Sequence, residues 1–242
     1  MNALFWTRPG AHEKLLPVIL NIRHIIMTAI MDIDIFADII CPWCYIGKKR
    51  LETAFSMRPE LQSNYRWRGF LLNPTMPEKG MDRTAYLTKK FGHAASAVYG
   101  RIAIAGLEAG IEFQFSKITR TPDTRPIHKL LIAAQANADA LSEEFYQAYF
   151  LFGQDISDKG LQAELCQKVG LDRQTLDSQA EQSEDQLNRD LEEGQQQGIE
   201  GVPLIIFNQR FALAGAYPAD ILLNAMDAAR LPAATPFQQP AK

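Results

Sequence analysis

The chain has 242 residues, 47% of them hydrophobic and 10% aromatic, which is enough for one sizeable core, or one core with a smaller lobe. A formal net charge of -3 lacks the basic footprint needed to neutralise a nucleic-acid backbone, so nucleic acid is not an expected partner. Three cysteines cannot make the dense framework of a small secreted scaffold, and a reducing compartment, the cytoplasm, is the expectation.

In chain order, "LLPVIL" near the start resembles a short apolar core, but Arg23 and His24 interrupt it. No run reaches the roughly 18 apolar residues of a membrane span, and "MTAIM" is a poor cleavage site. Neither a signal peptide nor a membrane partner is expected. Met31 directly precedes a clean strand pattern, so residues 1–30 are expected to be an upstream extension, disordered or loosely docked, and not part of the fold.

From Asp32, "DIDIFADII" reads as a short strand buried on both faces and runs straight into Cys41. "PWCYIGKKRLETAFSM" follows with helical spacing, Pro42 in its first turn and Pro59 just past its end. "NYRWRGFLL" alternates as a second strand, and "NPTMP" ends it with turn residues. From about Asp82 to Gly198 the chain reads almost wholly as helices, including "RTAYLTKKFG", "RPIHKLLIAAQANADAL", "SEEFYQAYFLFG" and "SEDQLNRDLEEGQQQG", several ending in a capping glycine. "EGVPLIIFNQRFALAGAYP" then gives strand, turn, strand with Asn208 and Gln209 at the turn, and "PADILLNAMDAARL" a closing helix. Residues 232–242 are expected to be a frayed tail. The α/β pieces thus sit at both ends, with the helices inserted between them.

Cys41 and Cys44 are two residues apart. A structural zinc site needs about four ligands, usually in two clusters. The second cluster is missing, Cys166 stands alone, and His12, His24, His93 and His128 form no HxxxH pair, so no metal is expected. A structural disulfide closing so short a loop would constrain the unfolded chain little. A reactive dithiol accounts for the placement: a cysteine at a helix N-terminus meets unpaired backbone N–H groups and the positive end of the macrodipole, which stabilise its thiolate. Cys41 is therefore expected to attack a disulfide, and Cys44, one turn further in, to resolve the mixed disulfide.

Strand, Cys-Pro-Trp-Cys, helix, a long helical insertion and a late Gly-Val-Pro resemble the thioredoxin superfamily. The chain is more closely similar to the FrnE-like branch of the DsbA family, whose neighbours are the 2-hydroxychromene-2-carboxylate isomerases and kappa-class glutathione transferases. The matching stretches are "CPWCYIGKKRLE" (41–52), "LLNP" (71–74), "AYFLFGQDIS" (148–157), "GIEGVPLIIFN" (198–208) and "LAGAYP" (213–218). The resemblance implies an α/β thioredoxin fold with a long all-helical insertion: residues 31–80 and 185–231 would form a discontinuous thioredoxin-like domain, and 81–184 the inserted helical domain. It also implies that Pro203 is a cis-proline beside the active-site sulfur, with Val202 offering backbone groups to an extended substrate. Pro42 and Trp43 would complete that surface, although Trp43 equally fits packing under the helix. Where Trp43 stands, DsbA carries a histidine, so Cys41 lacks that positive charge and a weaker oxidant is expected.

Asp38, three residues before Cys41, is a candidate proton relay to Cys44, or more simply a solvated strand-end acid or cap. Cys166 reads as a small buried hydrophobe, His128 as a satisfied or surface histidine with a pocket role as the alternative, and the glutamate and glutamine cluster at 192–197 as a solvated helix face. The leading function is a thiol-disulfide oxidoreductase or isomerase acting on protein or low-molecular-weight thiols and disulfides. It would have no tightly bound cofactor, glutathione as a candidate redox partner, and a homodimer as one option implied by the kappa-class neighbours. The alternatives are a glutathione-dependent transferase or isomerase of small molecules, weakened because those relatives typically carry serine where Cys41 stands, and a redox-regulated binding module.

Overall fold

β1 (Ala29–Ala37) is the inner strand on which the site is built. The computed structural model describes residues 29–231, so the expected extension up to residue 28 and the expected tail over 232–242 lie outside the described residues. The expected extension over residues 1–30 is corrected at its end: β1 begins three residues before Asp32, and Ala29 and Ile30 belong to the fold, paired with Leu61 and Gln62 of β2 (Leu61–Gly69). β1 and β2 run parallel, and β5 (Leu204–Phe207) lies antiparallel on the other side of β1, followed by β6 (Phe211–Ala214). The hairpin between β5 and β6 turns through Asn208–Arg210, with Asn208 and Gln209 in the left-handed region at φ 49° and 55° and Arg210 N donating to Phe207 O at 3.0 Å.

Between β1 and β2 stands α1 (Pro42–Ser56). Met31 and Ile33 of β1 pack with Leu51 and Ala54 of α1 and with Leu222, Leu223 and Met226 of the last helix, α9 (Ala219–Arg230). Each such aliphatic side chain taken out of water contributes about 1.5–3 kcal/mol before the cost of ordering the chain. Phe36 carries the Arg68 guanidinium over its ring at 4.6 Å and lies beside Gly194 of α8 (Ala180–Gln196).

The middle of the chain is helical: α2 (Arg83–Phe91), α3 (Ala95–Glu108), α4 (Arg125–Ala134), α5 (Ala138–Phe150), α6 (Lys159–Lys168) and the short α7 (Arg173–Asp177) precede α8. A two-residue bridge, β3 (Met81–Asp82) on β4 (Arg120–Thr121), ties the start of this segment to its middle. The helix boundary falls elsewhere than the sequence pattern places it. The stretch 125–141 is broken at Gln135, whose φ is 47°, whereas α5 runs unbroken across Leu141–Ser142. Local spacing does not reveal the break, since "RPIHKLLIAAQANADAL" contains no glycine or internal proline after Pro126. One apolar core runs from Ile39, Tyr45, Ile46 and Trp67 into Ile127, Leu131, Phe145, Tyr149 and Phe150, so the helices pack directly on the Cys41 end of the sheet.

Candidate active site

The strand-to-helix junction forms because Pro42 occupies the first turn of α1, where its missing N–H costs nothing. Cys41 is the N-cap residue, with extended backbone angles (φ -91°, ψ 112°), and its N–H donates to Asp38 O at 2.9 Å. Both cysteines are free thiols and buried, 4% exposed for Cys41 and 3% for Cys44. Burial pushes the Cys44 thiol well above the ordinary value, and the hydrogen bond with Cys41 and the Cys41 charge push it further. The Asp38 backbone pulls the other way, and the Asp38 charge adds to the rise. A thiol so placed keeps its proton until a base takes it.

Cys41 Sγ lies 3.6 Å from Val202 O. The Val202–Pro203 peptide is cis, and Pro203 packs on α1 at Gly47, where an added Cβ would come within 3.0 Å of Pro203 Cγ. Glycine there permits the close approach of helix and loop. Gly215 closes the other side, donating its N–H to Pro203 O at 2.8 Å with φ 123°. A groove of about 650 Å³ runs from here along Gly198–Leu204, Ala212, Ala214 and Gly215. Of the four residues expected to contact substrate, Trp43 is exposed at 38% and not packed under α1, Val202 is half-buried, and Pro42 and Pro203 are buried.

Asp38 is fully buried, so it is not a solvated strand-end acid. Its Oδ2 accepts from Leu72 N at 2.8 Å and its Oδ1 from Ile40 N at 3.4 Å, so the "LLNP" stretch supplies one of its donors. His128 is fully buried on α4, and its Nε2 stands 3.5 Å from Asp38 Oδ1. That separation lies within ion-pair reach, yet Nε2 makes no hydrogen bond and is a buried donor without a partner. Its Nδ1 accepts from Trp67 Nε1 at 3.0 Å.

The helical segment closes the site. Tyr45 of α1 stacks on Tyr146 of α5 with ring centroids 4.9 Å apart. Burial, then the charges of Cys44, Cys41, Asp38 and Glu143, drive the Tyr146 phenol far up, so it stays protonated. Tyr99 of α3 is also held up, by burial first and in part by the Cys41 charge, while Arg83, which donates to its hydroxyl at 2.7 Å, pulls it down. Cys166 is fully buried in α6, and burial raises its thiol too. Among the described residues, no group of histidines, cysteines and carboxylates could hold a metal ion, and no helix is long and apolar enough to cross a membrane. Trp67 and Tyr146 are site residues that the strand and helix patterns did not single out, since an aromatic on an alternating strand or an apolar helix face reads as core.

The profile of the DSBA-like thioredoxin domain matches residues 32–227. The crystal structure of a probable DsbA oxidoreductase from Streptomyces coelicolor superimposes with a TM-score of 0.73 at 26% identity, over 85% of this chain and 93% of that one. The cytosolic disulfide reductase DsbM from Pseudomonas aeruginosa, solved with glutathione, gives a TM-score of 0.55 at 18% identity, over 82% and 95% of the two chains. A 2-hydroxychromene-2-carboxylate isomerase gives 0.58 at 16% identity, over 81% and 93%. The last two likenesses are of fold.

Proposed function

This chain belongs to the DSBA-like thioredoxin domain family, and from its buried dithiol we infer that it is a thiol-disulfide oxidoreductase in which Cys41 attacks and Cys44 resolves. One observation carries the reading: Cys41 caps the N-terminus of α1, with Cys44 hydrogen-bonded beside it and Val202 O at 3.6 Å. A sulfur at that helix end sits where negative charge is best tolerated. Cys44 keeps its proton until it is needed, which sets the order of attack. Asp38, touching Cys44 through its backbone, is the base that receives that proton.

The groove beside Val202, lined by residues 198–204, suits an extended peptide or a small thiol such as glutathione. Thiol-disulfide exchange by the dithiol needs no bound cofactor. We assign the chain to the FrnE-like branch and to the cytoplasm on the strength of the quoted motifs and the three-cysteine composition, and a homodimer remains part of that proposal.

The test is insulin reduction and scrambled-substrate isomerisation by the parent, Cys41→Ser and Cys44→Ser, with a glutathione redox titration. Turnover by the parent, its abolition in Cys41→Ser, and mixed disulfides trapped in Cys44→Ser are the expected outcome. An inert parent that binds glutathione tightly, with Cys44 dispensable, would replace this reading with the small-molecule transferase or isomerase.

A further inference from the structure

His128 has a buried ring nitrogen, Nε2, that no hydrogen bond engages, and it stands 3.5 Å from the Asp38 carboxylate, whose charge acts on the resolving cysteine. The tautomer follows from its other nitrogen. The Trp67 indole can only donate, so Nδ1 must accept at 3.0 Å, and in the neutral ring the hydrogen lies on Nε2. An imidazolium would set N–H against N–H. The ring lies beside Gly69, where an added Cβ would clash with Leu187 Cδ1 and come 3.6 Å from His128 Nδ1. Nε2, carrying that hydrogen, stands 3.5 Å from Asp38 Oδ1.

We propose that Trp67 and His128 are positioning residues that fix Asp38 as the proton acceptor for Cys44 in the resolving step. The proposal rests on the dithiol reading above and deepens it. In that step the protein carries a mixed disulfide between Cys41 and a substrate sulfur. The Cys44 thiol gives its proton to the Asp38 carboxylate, and the Cys44 sulfur attacks Cys41. The bond from Cys41 to the substrate breaks, and the substrate leaves as a thiolate with the electron pair. The protein is left with a Cys41–Cys44 disulfide, its two thiols oxidised and the substrate disulfide reduced. Ile40 N and Leu72 N donate to the Asp38 carboxylate, and His128 Nε2 stands 3.5 Å from Oδ1 as a third donor in reserve, so the carboxylate is held in one orientation. A shortening of the 3.5 Å gap as the step proceeds would complete the third bond.

Other charges around the ring are already engaged. Asp190 of α8 accepts from Gly69 N and Arg68 Nε, and Arg68 also reaches Glu193. On α4 itself, Arg125 pairs with Asp123 and Lys129 with Glu184. On α1 and α5, the Cys44 thiol and the Tyr146 phenol both lie within reach of the Asp38 charge. The group left to answer His128 is Asp38.

Stopped-flow reaction of the reduced protein with one equivalent of 5,5′-dithiobis(2-nitrobenzoate) separates the two steps. The first thionitrobenzoate released reports Cys41 attack, and the second reports resolution by Cys44. In His128→Leu the acid limb of the second phase is expected to move up by about one pH unit, a tenfold slowing on the acid side, with the first phase unchanged. His128→Gln, whose amide can accept from Trp67 and donate to Asp38, is expected to keep the parental limb. Trp67→Phe, which frees the tautomer, should fall between, and Asp38→Asn should abolish the limb. A normal first phase with the second-phase limb unmoved in both His128→Leu and Trp67→Phe overturns the proposal, as does His128→Gln behaving like His128→Leu. A first phase that is absent, or that survives in Cys41→Ser, overturns the dithiol reading and this proposal with it.

Discussion

Trp43 is the residue of the Cys-Pro-Trp-Cys motif that faces solvent, 38% exposed beside a buried Cys41. An apolar indole there offers the sulfur no charge, whereas an imidazolium would stabilise the thiolate and so the reduced pair. Trp43→His is therefore expected to make the protein more oxidising, by about 30 mV for each tenfold gain in the dithiol's equilibrium constant, read by titration against glutathione. An unchanged midpoint would show that charge at this position does not set the potential. The motif itself, Gly-Val-Pro and the hairpin turn at Asn208 and Gln209 were legible because each is a local signal of reactivity or backbone geometry. The pairing of Trp67 with His128 was not, although the sequence singles out His128 with a pocket role as one reading: the two stand 61 residues apart in sequence, and only the packing of α4 on β2 brings their ring nitrogens together.

α1 and α5 are joined by a charged clamp. Lys48 reaches Glu52 and Asp139 at 2.7 Å, and Lys49 reaches Glu143 at 2.8 Å, with Tyr45 also donating to Glu143. Burial pushes Glu143 up, but Gln147, Lys49 and Lys48 outweigh it, and its carboxyl is held below the usual value of 4.5. A lowered carboxylate contributes stability that is present above its unfolded value and lost as pH falls through the folded one. Urea midpoints of the parent should therefore decline below about pH 4.5 with a component that Glu143→Gln lacks. The variant should start lower at pH 7 and fall less by pH 3. An identical pH dependence in both would remove Glu143 from the clamp. The clamp also bears on where sequence reading failed. Asp139 and Glu143 occupy one face only because α5 begins after the break at Gln135 and runs through Ser142, and neither feature has a glycine or proline to announce it.

Sequence organisation suggests a helical domain inserted into a thioredoxin-like one, and the packing bears on whether the two parts unfold separately. The core that holds Ile39, Cys44 and Trp67 is the same one that holds Leu131, Phe145 and Phe150. The dithiol's surroundings are likewise shared, since Asp38 and Cys44 come from the sheet and α1, while His128, Tyr146 and Tyr99 come from the helices. A part that exposed this core would leave large aromatic faces in water, at about 25 cal/mol for each Å². Far-UV circular dichroism, dominated by the helices, and tryptophan fluorescence, which includes Trp67 against α4, should therefore report one coincident transition in urea. Phe145→Ala, at a position 0% exposed, should cost about 3–5 kcal/mol and move both signals together. Helicity lost at lower urea than the tryptophan signal would instead mark residues 81–184 as an independent unit. Coincidence would mean that the helices are a structural wall of the reactive pair, so that any opening of them alters the resolving cysteine.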